Sequence, residues 1–182
     1  MNKEAVSTDS KDEVRSKKNE QNVGSHKKRE FTDFSWYITG FVDGEGCFSV
    51  SFNLRSRFTT GIEVRPSFAV GQNKRSLQTL LEIQKYFGCG GVRFNNGDQT
   101  YKYEVRKTGD LITKIIPHFE KFPLKTSKSS DFEKFKRVVE LIYQSKHLNK
   151  KYLTEIIHLS YQMNISGKRK YTEEELLKIL VR

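Results

Sequence analysis

Cysteine is scarce in this 182-residue chain. Cys47 and Cys89 are the only two, and they form no C-x-x-C pair. That spacing excludes a zinc site and a disulfide framework, and it fits a reducing compartment. No apolar run approaches the length needed to cross a membrane, and no signal-peptide pattern is visible. The four histidines, His26, His118, His147 and His158, are scattered without ligand spacing. The glycine cluster Gly88-Cys89-Gly90-Gly91 lacks the Gly-Lys-Ser/Thr that a phosphate loop requires. Residues 1–30 have little that is apolar: Met1, Ala5, Val6, Val14 and Val23 only, among eight basic and six acidic residues. Such a segment is expected to be a disordered charged tail, and its acids argue against a mitochondrial transit peptide. The organised domain is expected to span 31–182. Acids are also short overall, with 33 Lys and Arg against 22 Asp and Glu, a net charge of +11. A polyanionic partner follows from that balance.

What is present is concentrated in Tyr37-Ile38-Thr39-Gly40-Phe41-Val42-Asp43-Gly44-Glu45-Gly46-Cys47. Phe34, Ile38 and Phe41, with Val42, recur with a helical period, and Thr32 or Asp33 can cap the start. Gly40 and Gly44, four apart, let another backbone approach closely. The helical period stops at Gly44-Glu45-Gly46, and Cys47 to Phe52 alternates like a strand. Asp43 and Glu45 therefore sit at a helix C-terminus, where the macrodipole disfavours negative charge. Two readings follow: a divalent cation held by the acids, or a glycine-capped helix end with solvated acids.

Further along, Phe48, Val50, Phe52 and Leu54 oppose Ser49, Ser51, Asn53 and Arg55. A loop containing Arg57 follows. Then Ile62, Val64, Phe68 and Val70 oppose Glu63, Arg65, Ser67 and Ala69, with Pro66 predicting an edge position or bulge. Asn73 to Ser76 opens a helix that ends at Gly88. A hairpin follows, with Arg93 and Asn95 on one polar face and Thr100, Lys102, Glu104 and Arg106 on the other strand's; Asn96-Gly97 predicts its turn. Thr108 can cap the next helix, Ser130 a longer one after the basic loop Phe122–Lys128, Asn149 another, and Thr172 to Glu175 reads as a capping box. The predicted fold class is α+β, with four antiparallel strands and the helices covering one face. The other face, carrying Ser, Asn, Arg, Glu, Thr and Lys, is a solvated surface or one that meets base edges in a DNA major groove.

Ile38 to Gly46 resembles the LAGLIDADG signature of homing endonucleases at all nine positions in type, with Ile38 for Leu and Thr39 for the usual small Ala. The element order αββαββα is similar to that family over roughly 31–146, with additional C-terminal helices. The resemblance implies a saddle-shaped sheet on double-stranded DNA. It also implies a homodimer packed through Gly40 and Gly44, because a second motif is not found in the chain. It assigns metal binding to Glu45 and the Gly44 carbonyl, with Mg²⁺ or Mn²⁺ as the ion. By position it gives a water-ordering role to Gln72 and a basic role to Lys128, for which Lys125 competes, with Arg75 as a further basic candidate. The implied DNA contacts are Ser49, Ser51, Asn53, Arg55, Arg57, Glu63, Arg65, Ser67, Arg93, Asn95, Thr100, Lys102 and Arg106.

The expected function is a site-specific double-strand DNA endonuclease of a mobile intron or intein. Two alternatives share the fold: an intron RNA maturase, and a DNA-binding regulator without chemistry. The expected setting is an organelle or a bacterial cytoplasm.

Overall fold

The computed structural model describes residues 29–165 and 167–181. These fall into two units, divided after Tyr37. In the first, 29–37, every residue is helical. Phe34 and Tyr37 stack there with ring centroids 5.8 Å apart, and Ser35 Oγ donates to the Phe31 carbonyl at 2.7 Å. Helix α1 runs over 29–45. Thr32 and Asp33 therefore lie inside it and do not cap it, since Arg29 and Glu30 are good helix formers. The expectation of a charged tail falls, for residues 1–28, outside the described residues.

In the second unit α1 lays Ile38 and Val42 fully into the core, while Gly40 and Gly44 are exposed. Strand β1 (Gly46–Leu54) begins with no residue between it and the helix. Glycine is what permits this. A Cβ on Gly46 would lie 2.5 Å from Val42 Cγ1 and 2.7 Å from the Val42 carbonyl oxygen.

Strands β2 (Ile62–Asn73), β3 (Gly91–Asn95) and β4 (Thr100–Val105) complete one antiparallel sheet of order β1-β2-β4-β3. Ser49 faces Ser67, Ser51 faces Arg65, and Asn53 faces Glu63 on the polar side. Phe48 faces Phe68 on the other. Phe48 is the hub of the core, with Phe68, Phe119 and Phe135 each at 5.3 Å and Phe132 at 5.4 Å between ring centroids. Pro66 pairs with Val50 of β1, but β4 joins β2 only from Phe68 onward. The strand is thus an edge on one side where its missing N–H would otherwise matter. The β3–β4 hairpin departs from the expected two-residue Asn-Gly turn. Its loop is four residues, 96–99, and Gln99 takes the positive φ, at 56°. The Asn95 side chain accepts the Gly97 N–H and the Asp98 side chain the Thr100 N–H, each at 3.1 Å, which supports the longer turn.

Helix α2 (Leu77–Phe87) follows a 3₁₀ turn capped by Asn73 and stops at Gly88 in the left-handed region. Helix α3 spans 108–121 with a π segment at Leu111–Ile115. The Ile116 N–H reaches back five residues to Leu111, which accommodates Pro117, a residue that cannot continue a regular ladder. Thr108 is the first residue of this helix and makes no cap. Helix α4 (Lys128–Tyr143) starts two residues before Ser130, so Lys128 is helical and not part of a loop. Asn149 caps α5 (Lys150–Tyr161). Thr172 and Glu175 exchange two bonds, 2.7 and 3.2 Å, at the start of α6 (Glu173–Val181), as the capping box predicts. Leu153, Ile156, Ile157, Leu176 and Leu180 are buried, so these two helices cover core. Between them Asn164 donates its amide to the Phe48 carbonyl at 2.7 Å and closes the outer edge of β1.

A buried polar chain ties α1 to α2 and α3. The Thr39 hydroxyl donates to the Phe122 carbonyl at 3.0 Å. It therefore accepts from His118 Nε2 at 3.2 Å, which leaves His118 Nδ1 to accept from the Tyr86 hydroxyl at 3.0 Å. Burial pulls the His118 pKa down from 6.5 to about 4. Below pH ~6.5 the unfolded chain takes up a proton that the folded one refuses, so folding stability falls as pH drops toward about 4 and levels off beneath it. His118→Gln should flatten that part of the profile by up to about 3 kcal/mol, measured as the difference between wild-type and variant urea unfolding across pH 7 to 4.

Candidate active site

The C-terminus of α1 and the N-terminus of α4 cap each other. Asp43, in the last turn of α1, accepts the Lys125 N–H at 2.9 Å, the Thr126 N–H at 3.2 Å and the Thr126 hydroxyl at 2.6 Å. The same Thr126 oxygen accepts the Lys128 N–H at 3.2 Å. In return the Lys128 ammonium donates to the Gly44 carbonyl at 3.4 Å and to the Gly46 carbonyl. An acid thus meets the electropositive start of one helix, and a cation meets the electronegative end of the other. Burial pushes the Asp43 pKa up, but the Thr126 hydroxyl, the two N–H groups and the Lys128 charge outweigh it and hold the carboxyl below its usual range. Asp43 therefore supports the junction of the two helices.

Glu45, two residues on, is exposed. Among the described residues no hydrogen bond or ion pair engages its carboxylate. The acid that the sequence puts in the same position as Asp43 therefore has a different environment: one is spent on the fold and the other faces outward. Lys128 and Lys125 also separate. The Lys128 side chain is at the helix end, whereas Lys125 contributes its backbone N–H. Gln72 lies two residues past Val70, the partner of Gly46, so the ladder direction carries it alongside the α1–β1 junction. Arg75 is exposed on the 3₁₀ turn; its backbone N–H bonds to Asn73 Oδ1, and no contact joins it to Glu45 or Lys128 among the described residues.

An exposed carboxylate beside a backbone carbonyl is a hard oxygen donor set of the kind Mg²⁺ or Mn²⁺ accepts. One chain supplies little of it. Among the described residues no three His, Cys, Asp or Glu side chains gather around one point. The chemistry of Glu45 and the Gly44 carbonyl fits a divalent ion.

The sheet's polar face carries the remaining candidates. Ser49, Ser51 and Ser67 are there, with the first two donating to carbonyls of β2 at 3.4 Å. Asn53 and Arg55 both donate to Glu63, at 3.3 and 3.4 Å, and Arg65 lies 3.9 Å from the same carboxylate. Ser67, Lys102 and Arg106 all engage Glu104, at 2.8, 3.3 and 2.9 Å. Both glutamates are partly desolvated, but their donors and cations keep the carboxyls below the usual range. Arg93 faces Lys102 in the register, and Asn95 and Thr100 sit at the hairpin end, bonded to the turn. Arg57 lies off the strands, its guanidinium 5.6 Å from the Phe58 ring centroid. Glu104 was legible in the sequence as an acid flanked at i±2 by two bases on one strand face.

A family model described as LAGLIDADG endonuclease matches residues 38–139. The chain belongs to that family. A relative from Neurospora crassa, named a probable intron-encoded endonuclease 2, is 36% identical over 129 residues, 70% of this chain and 28% of its own length. The solved homing endonuclease I-TnaI is 39% identical with a TM-score of 0.69, covering 80% of this chain and 94% of that one. The archaeal intron-encoded homing endonuclease I-Vdi141I, solved in complex with DNA, is 28% identical with a TM-score of 0.76 over 82% of this chain and 96% of that one. Three curated fungal relatives are longer, and the chain covers 26%, 28% and 51% of them.

Asp43→Asn keeps the shape of the helix junction but removes the charge that three donors address. It should lower stability by about 2 kcal/mol, read from urea denaturation near pH 7. An unchanged midpoint would mean that the junction is held by packing alone.

Proposed function

We propose that this LAGLIDADG chain is a site-specific double-strand DNA endonuclease of a mobile intron or intein. It works as a homodimer on a near-palindromic site, in a reducing organelle or bacterial cytoplasm. The observation that carries the reading is the outward-facing Glu45 at a helix end whose neighbouring acid and base are consumed in fixing its position. A protein that only bound nucleic acid would have no use for an unpartnered acid beside a phosphate-seeking face. That observation favours the nuclease over the maturase and the inactive regulator.

Two copies pairing through the Gly40 and Gly44 faces bring their Glu45 carboxylates toward each other and double the oxygen donors. Glu45 and the Gly44 carbonyl would hold a divalent ion, which when bound would supply an activated water and charge neutralisation at the scissile phosphate. Lys128, anchored on the carbonyls at the end of α1, places a fixed positive charge where the phosphate and its leaving oxygen arrive. Gln72, a neutral donor and acceptor at the end of β2, orients solvent for attack. Arg75 adds positive charge on the adjoining turn. The sheet's polar face settles in the major groove and reads base edges through Arg55, Arg65, Arg93 and Lys102.

Glu45→Gln preserves shape and removes the metal-holding charge. Cleavage of the duplex spanning the intron insertion site should be lost while specific binding of that duplex persists. Metal-dependent cutting by the variant would sink the assignment. Gly40→Leu tests assembly, because Gly40 is exposed and a Cβ there meets nothing within 4 Å among the described residues. The variant should fold, run at monomer mass on the duplex and fail to cleave; dimer mass with full cleavage would end the proposed pairing.

A further inference from the structure

Most of the cations on the polar sheet face are paired with a glutamate. Glu104 sits at the floor of that face. Its strand neighbours in the register are Ala69 on one side and Gly91 on the other, so no bulky side chain covers it. Even so, its side chain is only 9% exposed, because Lys102 and Arg106, themselves 53% and 50% exposed, close over it. The guanidinium of Arg106 binds in two places, Nε to Oε2 at 2.9 Å and Nη2 to Oε1 at 3.1 Å. Ser67 Oγ holds Oε1 from the next strand at 2.8 Å. Glu63 repeats the arrangement more loosely between Arg55 and Arg65, at 3.4 and 3.9 Å. An acid on a surface that meets a polyanion weakens binding unless it serves discrimination.

We infer that Glu104 is a specificity-determining positioning residue, one that tethers Lys102 and Arg106 upright over β4 so that they address base edges and cannot swing out to phosphates. The inference rests on the DNA-binding reading above. Phosphate contacts carry affinity without sequence information, while base contacts carry the information. A cation held by a fixed carboxylate has a short, defined reach; the same cation released on its long stem finds the nearest phosphate. Glu104 thus exchanges general affinity for selectivity.

The test uses the full chain, its preferred duplex selected from a randomised library, and an unrelated duplex of equal length, with binding measured over a series of KCl concentrations. Glu104→Gln retains the Ser67 contact and loses the charge. On the unrelated duplex it should bind more tightly and steepen the salt dependence by about 1–2 units of log K per log salt, the gain of one or two phosphate contacts. The ratio of preferred to unrelated affinity should fall about tenfold. Unchanged slope and ratio, or equal weakening on both duplexes, would overturn the inference. Thermal melting reports whether the variant folds. Should it not, Lys102→Met with Glu104 intact decides the matter. A tethered Lys102 predicts an unaltered slope on the unrelated duplex and weaker binding to the preferred one, whereas a slope reduced by about 1 means Lys102 already touches phosphate and overturns the proposal. If the wild-type chain does not discriminate between the duplexes at all, the nuclease reading itself fails, and this inference with it.

Discussion

The mutual capping of α1 and α4 is the constraint on which the rest depends. Helix ends leave backbone groups without intrahelical partners, and here two ends solve each other's deficit. Asp43 takes the N–H groups that precede α4, and Lys128 takes the carbonyls at the end of α1. One contact pair therefore fixes the axial position of both helices, the start of β1, and the place where Glu45 emerges. The aromatic hub around Phe48 packs beneath that junction, with Phe132 and Phe135 of α4 and Phe119 of α3 converging on a residue two positions into the sheet. Structure and site share one anchor, and the acid left over is the one that faces outward.

The two polar systems of the molecule differ in purpose. The Thr39–His118–Tyr86 chain is buried and neutral, and it holds the motif helix against α2 and α3 with directional bonds that packing alone lacks. The Glu63 and Glu104 clusters lie at the surface and are charged. Ion pairs so exposed contribute little to stability. Each cluster turns its cations toward a carboxylate on the sheet face.

Much of the fold could be read from the chain because its signals were local. The strand faces follow a period of two, and the register places Ser49, Ser51, Asn53 and their partners on one side as expected. The Asn149 cap and the Thr172–Glu175 box are complete within four residues. What escaped was non-local or overruled local preference. Ser130 is a good cap by type, but Thr126, held by Asp43 from across the molecule, moves the start of α4 forward to Lys128. Asn96-Gly97 favours a tight turn, but the side chains of Asn95 and Asp98 support a longer one. Thr39 reads as a minor departure from a small-residue motif until His118, 79 positions away, is seen to contact it. At the site, what distinguishes Asp43 from Glu45 is its partners, Lys125 and Thr126, which lie more than eighty residues downstream.

The junction at Gly46 has a mechanical consequence. Because helix passes to strand with no intervening residue, and because any side chain there would strike Val42, the link between α1 and the sheet has no slack. The distance from the acid at the helix end to each sheet-face side chain of β1 is therefore a fixed ruler, marked off in steps of ~3.3 Å per residue. Exchanging those side chains changes what is written on the ruler and leaves its graduation the same.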